Sequence, residues 1–421
     1  MESIIIFCLI LVIAIVLTDL IITDYVIISC LTYILYNLTK YIFNPSDPTA
    51  YYGGADKKLK VYAYAHVYSS GLIIDGEIIH KATDAIVVYE NKQLVKNADI
   101  LIHIEKISPG LTAKYHIWIP NQEVISEWDN NNKNKIDLVL CKTHKTVEVI
   151  KNLYKNSKMP IPKIIYTSFS SVCNKKFEYT PRKKFDDKLV LLPGSSIMKN
   201  IDLIIDIWLA NDCFKKTCKK SKLYITYGHL FVHDNNQYAK INKIIHDIIK
   251  NRCGDSVYKS FASDLKTKNK ITIKNTNITI FNKLPTDEYQ QLVNKAGIVL
   301  CCSMTEGFGH YISESKYYGN VILTTDAAPM NELITLPELR VKAVSRGFIK
   351  DYDVRSYMMP APVYGVDPDD FAKKFISVYN LKNKTPIRKA LHESYVKNDS
   401  LAISNFKSAL KNINLHDNTT I

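Results

Sequence analysis

Ala296–Leu333 reads AGIVLCCSMTEGFGHYISESKYYGNVILTTDAAPMNEL. It opens on an unbroken apolar run, Ile298 to Cys301, without the polar alternation of a half-exposed strand, so it predicts a strand buried on both faces. Ser303, Thr305, Glu306, Gly307, Phe308 and Gly309 end that run, helical periodicity extends from Gly309 to Tyr318, and a second apolar run spans Val321 to Thr324. Strand, turn, helix and strand in that order are the unit of a parallel sheet covered by helices. The glycines let the backbone come close to a ligand, and free N–H groups at a helix start suit an anion. Glu314 stands about two helical turns beyond Glu306, so the two carboxylates share one side and can address two parts of one ligand.

The same alternation extends outward. Leu59–Ala65, Ala85–Val88, Ile100–Ile104, His116–Ile119, Asp137–Cys141 and Lys163–Tyr166 read as short strands, with a helical stretch at Lys145–Tyr154. After a charged stretch, Tyr179–Lys188, a second series begins: Leu189–Leu192, Lys222–Thr226, Ile278–Phe281 and then the two strands above. Helical patterns intervene at Asp202–Leu209, Ile241–Ile249 and Thr286–Ala296, and a last one runs from Leu401 to Asn412. The expected fold is α/β, with two Rossmann-like doubly wound domains whose ligand lies at the carboxyl ends of the strands.

Composition narrows the function. The chain has 421 residues, is 47% hydrophobic and carries a formal net charge of +14, enough to build a core and to attract polyanions such as a nucleotide diphosphate or anionic lipid. Its lysines are spread along the chain, without an arginine-rich arm, zinc-finger spacing or RNA-binding aromatic signature, so nucleic acid is not an expected partner. The 9 cysteines are scattered without paired CxxC spacing, which excludes a zinc or redox motif and reads as small buried hydrophobes in a reducing compartment. Ile4–Leu17 is continuously apolar, and a second apolar stretch lies beyond Asp19 and Asp24, so residues 1–43 read as an uncleaved membrane anchor of one span or a hairpin. Lys40, Lys57, Lys58 and Lys60 trail that block and favour a cytoplasmic location for the remainder of the chain. Sequons at Asn37, Asn277, Asn398 and Asn418 argue weakly the other way.

The Ala296–Leu333 stretch closely resembles the group 1 glycosyltransferases, whose mark is a Glu, seven intervening residues and a second Glu, with EGFG at the first. Ser303, Gly319, Val321, Asp326, Pro329, Glu332 and Leu333 extend the match. Upstream, Ile278–Ala296 resembles the family's strand, turn, Pro and helix, with Asn282 where a Gly is usual, and Leu192–Asn200, LPGSSIMKN, resembles its first donor-domain loop. The arginine that normally accompanies the lysine of that loop is absent, with Gly194, Ser195 or Ser196 in its place. In the first half, Ser69–Gly71 resembles a glycine loop and Trp118–Glu123, WIPNQE, a Pro-Asn-x-Glu segment; His66, His103 and His116 compete for the acceptor-side histidine.

The resemblance implies a GT-B fold and a retaining, metal-independent transfer of sugar from a UDP- or GDP-sugar to a glycan, lipid or protein, without a cofactor. Glu306 is the implied catalytic residue. Lys199, Ser195, Ser196, Lys283, Leu284, Gly307, Phe308, Gly309 and Glu314 are implied on the donor side, with Glu314 on the ribose and Lys199 on the diphosphate. Gly71, His66, Asn121 and Glu123 are implied on the acceptor side. The domains expected are the anchor (1–43), a linker (44–56), an acceptor domain (57–180), a nucleotide-sugar domain (186–400) and a terminal helix and tail (401–421). The alternatives are another GT-B enzyme such as a nucleotide-sugar epimerase, and a catalytically inactive, membrane-tethered sugar-nucleotide-binding protein.

Overall fold

In the computed structural model, residues 59–155, 160–194, 196–211, 218–231, 236–282, 284–351 and 361–417 are described. The apolar block at 1–43 and the linker at 44–56 lie outside them; among the described residues no helix is long and apolar enough to cross a membrane.

The first sheet has six parallel strands: β1 (Val61–Ala65), β2 (Ile86–Tyr89), β3 (Ala98–Glu105), β4 (Ala113–Pro120), β5 (Leu138–Cys141) and β6 (Lys163–Tyr166). Their order is β2-β1-β3-β4-β5-β6, so the chain reverses its direction of winding between β1 and β3. Helix α1 (Ser70–Thr83) comes after β1 and α2 (His144–Lys155) after β5. Gly71, read as part of a loop, lies in the first turn of α1, and a Cβ there would meet nothing within 4 Å.

The second sheet has eight strands in the order β14-β13-β12-β11-β7-β8-β10-β9. They are β7 (Asp186–Pro193), β8 (Lys222–Thr226), β9 (Lys270–Thr272), β10 (Ile278–Phe281), β11 (Ala296–Cys301), β12 (Val321–Asp326), β13 (Arg340–Phe348) and β14 (Pro362–Val366). All neighbours are parallel except β9 with β10 and β13 with β14. Between β7 and β11 the winding reverses, which opens a crevice above their carboxyl ends. Val190, Leu191 and Leu192 of β7 and Ile298, Val299 and Leu300 of β11 are fully buried, and burying each such side chain stabilises the fold by about 1.5–3 kcal/mol. The helices of this domain include α3 (Ile201–Ala210), α4 (Asn236–Cys253), α5 (Thr286–Lys295), α6 (His310–Tyr318) and α7 (Pro368–Asn380).

The terminal helix α8 runs from Thr385 to Asp417 and so begins well before Leu401, where sequence periodicity placed it. It belongs to both sheets. Its Lys81–Asp399 ion pair (3.2 Å) reaches α1, His392 Nδ1 bonds the Tyr317 carbonyl of α6 (2.8 Å), and Phe406 packs on Phe169 between the sheets. The two sheets and α8 form a single compact unit. Cys141, Cys173, Cys218, Cys253, Cys301 and Cys302 are free thiols among the described residues.

Candidate active site at the switch point of the second sheet

The exits of β7 and β11 meet across the crevice. From β7 the chain passes Gly194 and forms a short turn, Ile197–Lys199, which the Ser196 hydroxyl caps by accepting from Met198 N at 3.2 Å. The Ser196 oxygen is therefore committed to the turn. Asn200 ends it in the left-handed region (φ 50°), where a short amide side chain is tolerated, and this buried amide donates to the carbonyls of Cys302 and Tyr364, both at 2.8 Å. Arg346 of β13 donates to Asn200 Oδ1 (2.8 Å) and to Asp202 (2.9 Å). The loop thus has an arginine after all, supplied from a distant strand and spent on fixing the backbone next to Lys199.

Lys199 reaches the turn beyond β11. Its ammonium pairs with Glu306, whose carboxylate also accepts from the Ser303 hydroxyl, and it lies 3.9 Å from the centre of the Tyr311 ring. Ser303 and the Tyr311 hydroxyl are bonded to each other. Glu314, one helical face along α6, also feels Lys199: burial pushes its carboxyl up to about 7, and the ammonium opposes that rise. One lysine therefore bears on both carboxylates singled out in the sequence. Leu284 lies beyond β10 at the same carboxyl edge and is half-buried; Ser195 and Lys283 lie outside the described residues.

Gly309 has φ 99°, a conformation that favours glycine, and from it α6 starts, its first N–H groups facing out of the helix. The Phe308 ring is not open to the crevice. It is buried edge-on against Phe169, with centroids 5.3 Å apart, so it packs in the core between the sheets and leaves only its backbone for a ligand.

Gly307 is where the two halves of the molecule touch. A Cβ there would lie 2.5 Å from Asn121 Oδ1 and 2.8 Å from Glu123 Oε1, both just beyond β4 of the first sheet. Gln122, between them, donates to the Glu306 carbonyl. Asn121 Nδ2 donates to Glu105 Oε1 (3.1 Å), and Glu105 Oε2 lies 3.8 Å from His66 Nε2. His66, Glu105, Asn121, Glu123, Gly307, Glu306 and Lys199 therefore form one continuous string from the first switch point to the second. Burial pushes the Glu123 carboxyl up to about 8, with Glu105 and Glu306 adding to the rise and Lys142 opposing it. His103 and His116 stack on each other with a 2.9 Å N···N contact, and His103 is 1% exposed, so these two pair with each other, and of the three candidates His66 is the one beside Glu105.

Three residues that sequence reasoning did not assign tie the halves together. Asp75 of α1 is buried against Lys142 (3.0 Å) and His310 (3.1 Å), the first residue of α6. Burial alone would raise the Asp75 carboxyl, but Lys142 and His310 hold it below the usual range. Glu332, matched only as part of the family pattern, accepts from His144 N (2.7 Å) and Lys145 N (2.9 Å), and so caps α2 of the other domain with negative charge at the positive end of its dipole. Glu332→Ala is expected to lower stability by about 1 kcal/mol. Thermal unfolding of the variant checks it, and an unchanged midpoint would show the contact to be idle.

No protein-family model matches this chain, and no curated protein does. Solved structures do. One is the pneumococcal O-GlcNAc transferase GtfA in complex with UDP and GlcNAc, at 14% identity and TM-score 0.53, with 76% of this chain and 58% of that one covered. A glycosyltransferase from Rickettsia africae ESF-5 is similar at 13% identity and TM-score 0.52, over 85% and 98% of the two chains. The trehalose-6-phosphate synthase OtsA is similar at 11% identity and TM-score 0.51, over 85% and 83%. This chain has their fold, two Rossmann-like domains in the GT-B arrangement, and spans less than two thirds of the pneumococcal enzyme.

Proposed function

We propose that this chain is a glycosyltransferase that moves a sugar from a nucleotide-sugar donor to a hydroxyl acceptor and keeps the anomeric configuration. The observation that carries the reading is the meeting of Lys199, from the β7 exit, with Glu306, from the β11 exit, at the switch point of the second sheet. In this reading the donor diphosphate takes Lys199 and the N–H groups that open α6, a cation and oriented dipoles placed where negative charge grows as the leaving group departs. The ribose hydroxyls fall to Glu314, since a carboxylate accepts two donors at once. The sugar lies by Glu306 and Gly307, within reach of an acceptor that enters from Asn121 and Glu123. The bond from the anomeric carbon to the diphosphate breaks, a bond to the acceptor oxygen forms on the same face, and the acceptor proton leaves with the diphosphate.

The pneumococcal neighbour holds UDP and GlcNAc, which favours a UDP-sugar among the donors. The test is product analysis by NMR after incubation with an α-linked UDP-sugar. An α-linked product is expected; a β-linked product would overturn retention, and a free epimerised nucleotide sugar would favour the epimerase.

We further propose that residues 1–43 attach the protein to a membrane, on the strength of the apolar run Ile4–Leu17. The Asn277 side chain accepts from Trp208 Nε1 (2.8 Å) and donates to the Ser221 carbonyl (2.7 Å), so its sequon is committed to the fold and is no glycan acceptor. Full-length protein is expected to stay with membranes through carbonate extraction, and its release would end the anchor reading.

A further inference from the structure

Resting on the glycosyltransferase reading, the charges along the acceptor side say what kind of acceptor fits. The string at the carboxyl edge of the first sheet carries Glu105 and Glu123, with Glu306 facing them from the second domain. Among the described residues, Lys106 pairs with Asp129 (3.0 Å) and Lys142 with Asp75 (3.0 Å), Lys92 donates to the Pro109 carbonyl (3.1 Å), and Lys199, beside Glu306, is the cation that the proposed reading gives to the donor diphosphate. Asn121 Oδ1 and Glu123 Oε2 are buried without a hydrogen-bond partner among the described residues. Buried polar atoms cost stability unless something satisfies them. At the same edge two aromatic side chains are held with much of their surface exposed. Tyr68, beyond β1, is 53% exposed, its backbone N–H bonded to Glu90 (3.0 Å); Trp128 is 50% exposed, its indole N–H bonded to the Ile107 carbonyl beyond β3 (2.9 Å). Carboxylate and amide oxygens along an edge that also exposes aromatic faces suit a molecule with many hydroxyl donors and apolar ring faces. A phosphate here would be buried beside Glu105 with these lysines already engaged, and an uncompensated buried charge is strongly rejected.

We propose that the acceptor is an uncharged sugar chain whose hydroxyls are gripped by Glu105, Asn121 and Glu123, and that acceptors bearing a phosphate near the reactive hydroxyl are excluded. Glu123 faces Glu105, Lys142 and Glu306, and with its carboxyl raised to about 8 it is mainly protonated at neutral pH, so it can donate to an acceptor oxygen. Above that pH it ionises and the donor is lost. Acceptor KM should therefore rise as pH passes through about 8, while Glu123→Gln, which keeps an N–H donor, should transfer at pH 7 and show a flat KM.

The full-length protein is assayed with a panel of UDP- and GDP-sugars against three kinds of acceptor. These are neutral oligosaccharides (maltotriose, chitotriose), glucose 6-phosphate, and phosphatidylinositol, whose ring hydroxyls stand beside a phosphate, in phosphatidylcholine vesicles. Donor binding is tracked separately by calorimetry. Neutral oligosaccharides are expected to be favoured in kcat/KM by about a hundredfold or more, as befits a site with no partner for the phosphate. Transfer that favours either phosphorylated acceptor, or no transfer to the neutral set from a donor that binds, would overturn the proposal alone. Failure to bind any nucleotide sugar would overturn it together with the reading on which it rests. An acceptor KM in wild type that stays flat across pH 7 to about 9 would remove Glu123 from the grip.

Discussion

Glu306→Gln is expected to lower kcat by about two to three orders of magnitude while changing donor affinity much less, because in the proposed mechanism the carboxylate charge acts at the reacting sugar and the nucleotide is held elsewhere. The amide is close in size to the carboxyl and can still accept from Lys199 and Ser303, which touch Glu306 in the free protein, so the turn should keep its shape. That separates chemistry from architecture. Were Glu306 only a structural partner that neutralises Lys199, the variant would lose thermal stability and the surviving fold would turn over at the wild-type rate. Single-turnover transfer, donor titration and thermal unfolding on the same preparation distinguish the two, and wild-type turnover in folded Glu306→Gln would end the catalytic assignment.

Gly307→Ala is the second large effect. The new methyl would lie 2.5 Å from Asn121 Oδ1 and 2.8 Å from Glu123 Oε1, well inside contact distance, and these atoms belong to the other domain. Relief requires the turn to shift or the domains to part, and either moves Glu306 relative to the acceptor edge. A misplacement of about 1 Å costs on the order of a hundredfold in rate, so kcat/KM for transfer should fall by about that much. Nucleotide binding, which the proposed reading rests mainly on Lys199 and Glu314, should survive. Transfer at the wild-type rate would show that the domains do not need this contact during catalysis.

Each part of the molecule was legible in the sequence to the extent that its signal is local. β6, β8 and β10 stand at the bounds their residues announce, because each is a short run rich in apolar and β-branched residues that differs sharply from its flanks. β13, at Arg340–Phe348, escapes such a reading because most of its residues are polar or exposed and its pairing with β14 is antiparallel at the sheet edge. Helix α1 goes unread, with only Ser69–Gly71 likened to a glycine loop, because Gly71 and Gly76 interrupt its pattern. Gly76 is there for packing, since a Cβ would sit 2.3 Å from the Tyr89 hydroxyl. Glu306 and Lys199 are reached through motif and resemblance, yet their contact spans more than a hundred residues and no local pattern announces it. Asp75, His310 and Glu332 escape for the same reason. Each is ordinary in its own helix and acquires meaning only when the other domain arrives opposite.

Calorimetric titration of wild type and Lys199→Ala with UDP- and GDP-sugars decides whether a nucleotide diphosphate is held at the Lys199 switch point, as proposed. Saturable binding of at least one such donor by wild type is expected, with a loss of about 1.5 to 3 kcal/mol in the variant, the usual worth of a hydrogen bond to a charged group, and with Arg346 unable to compensate because it is committed to Asn200 and Asp202. Equal affinity in the two proteins, or no binding of any nucleotide sugar by folded wild type, would contradict the proposal.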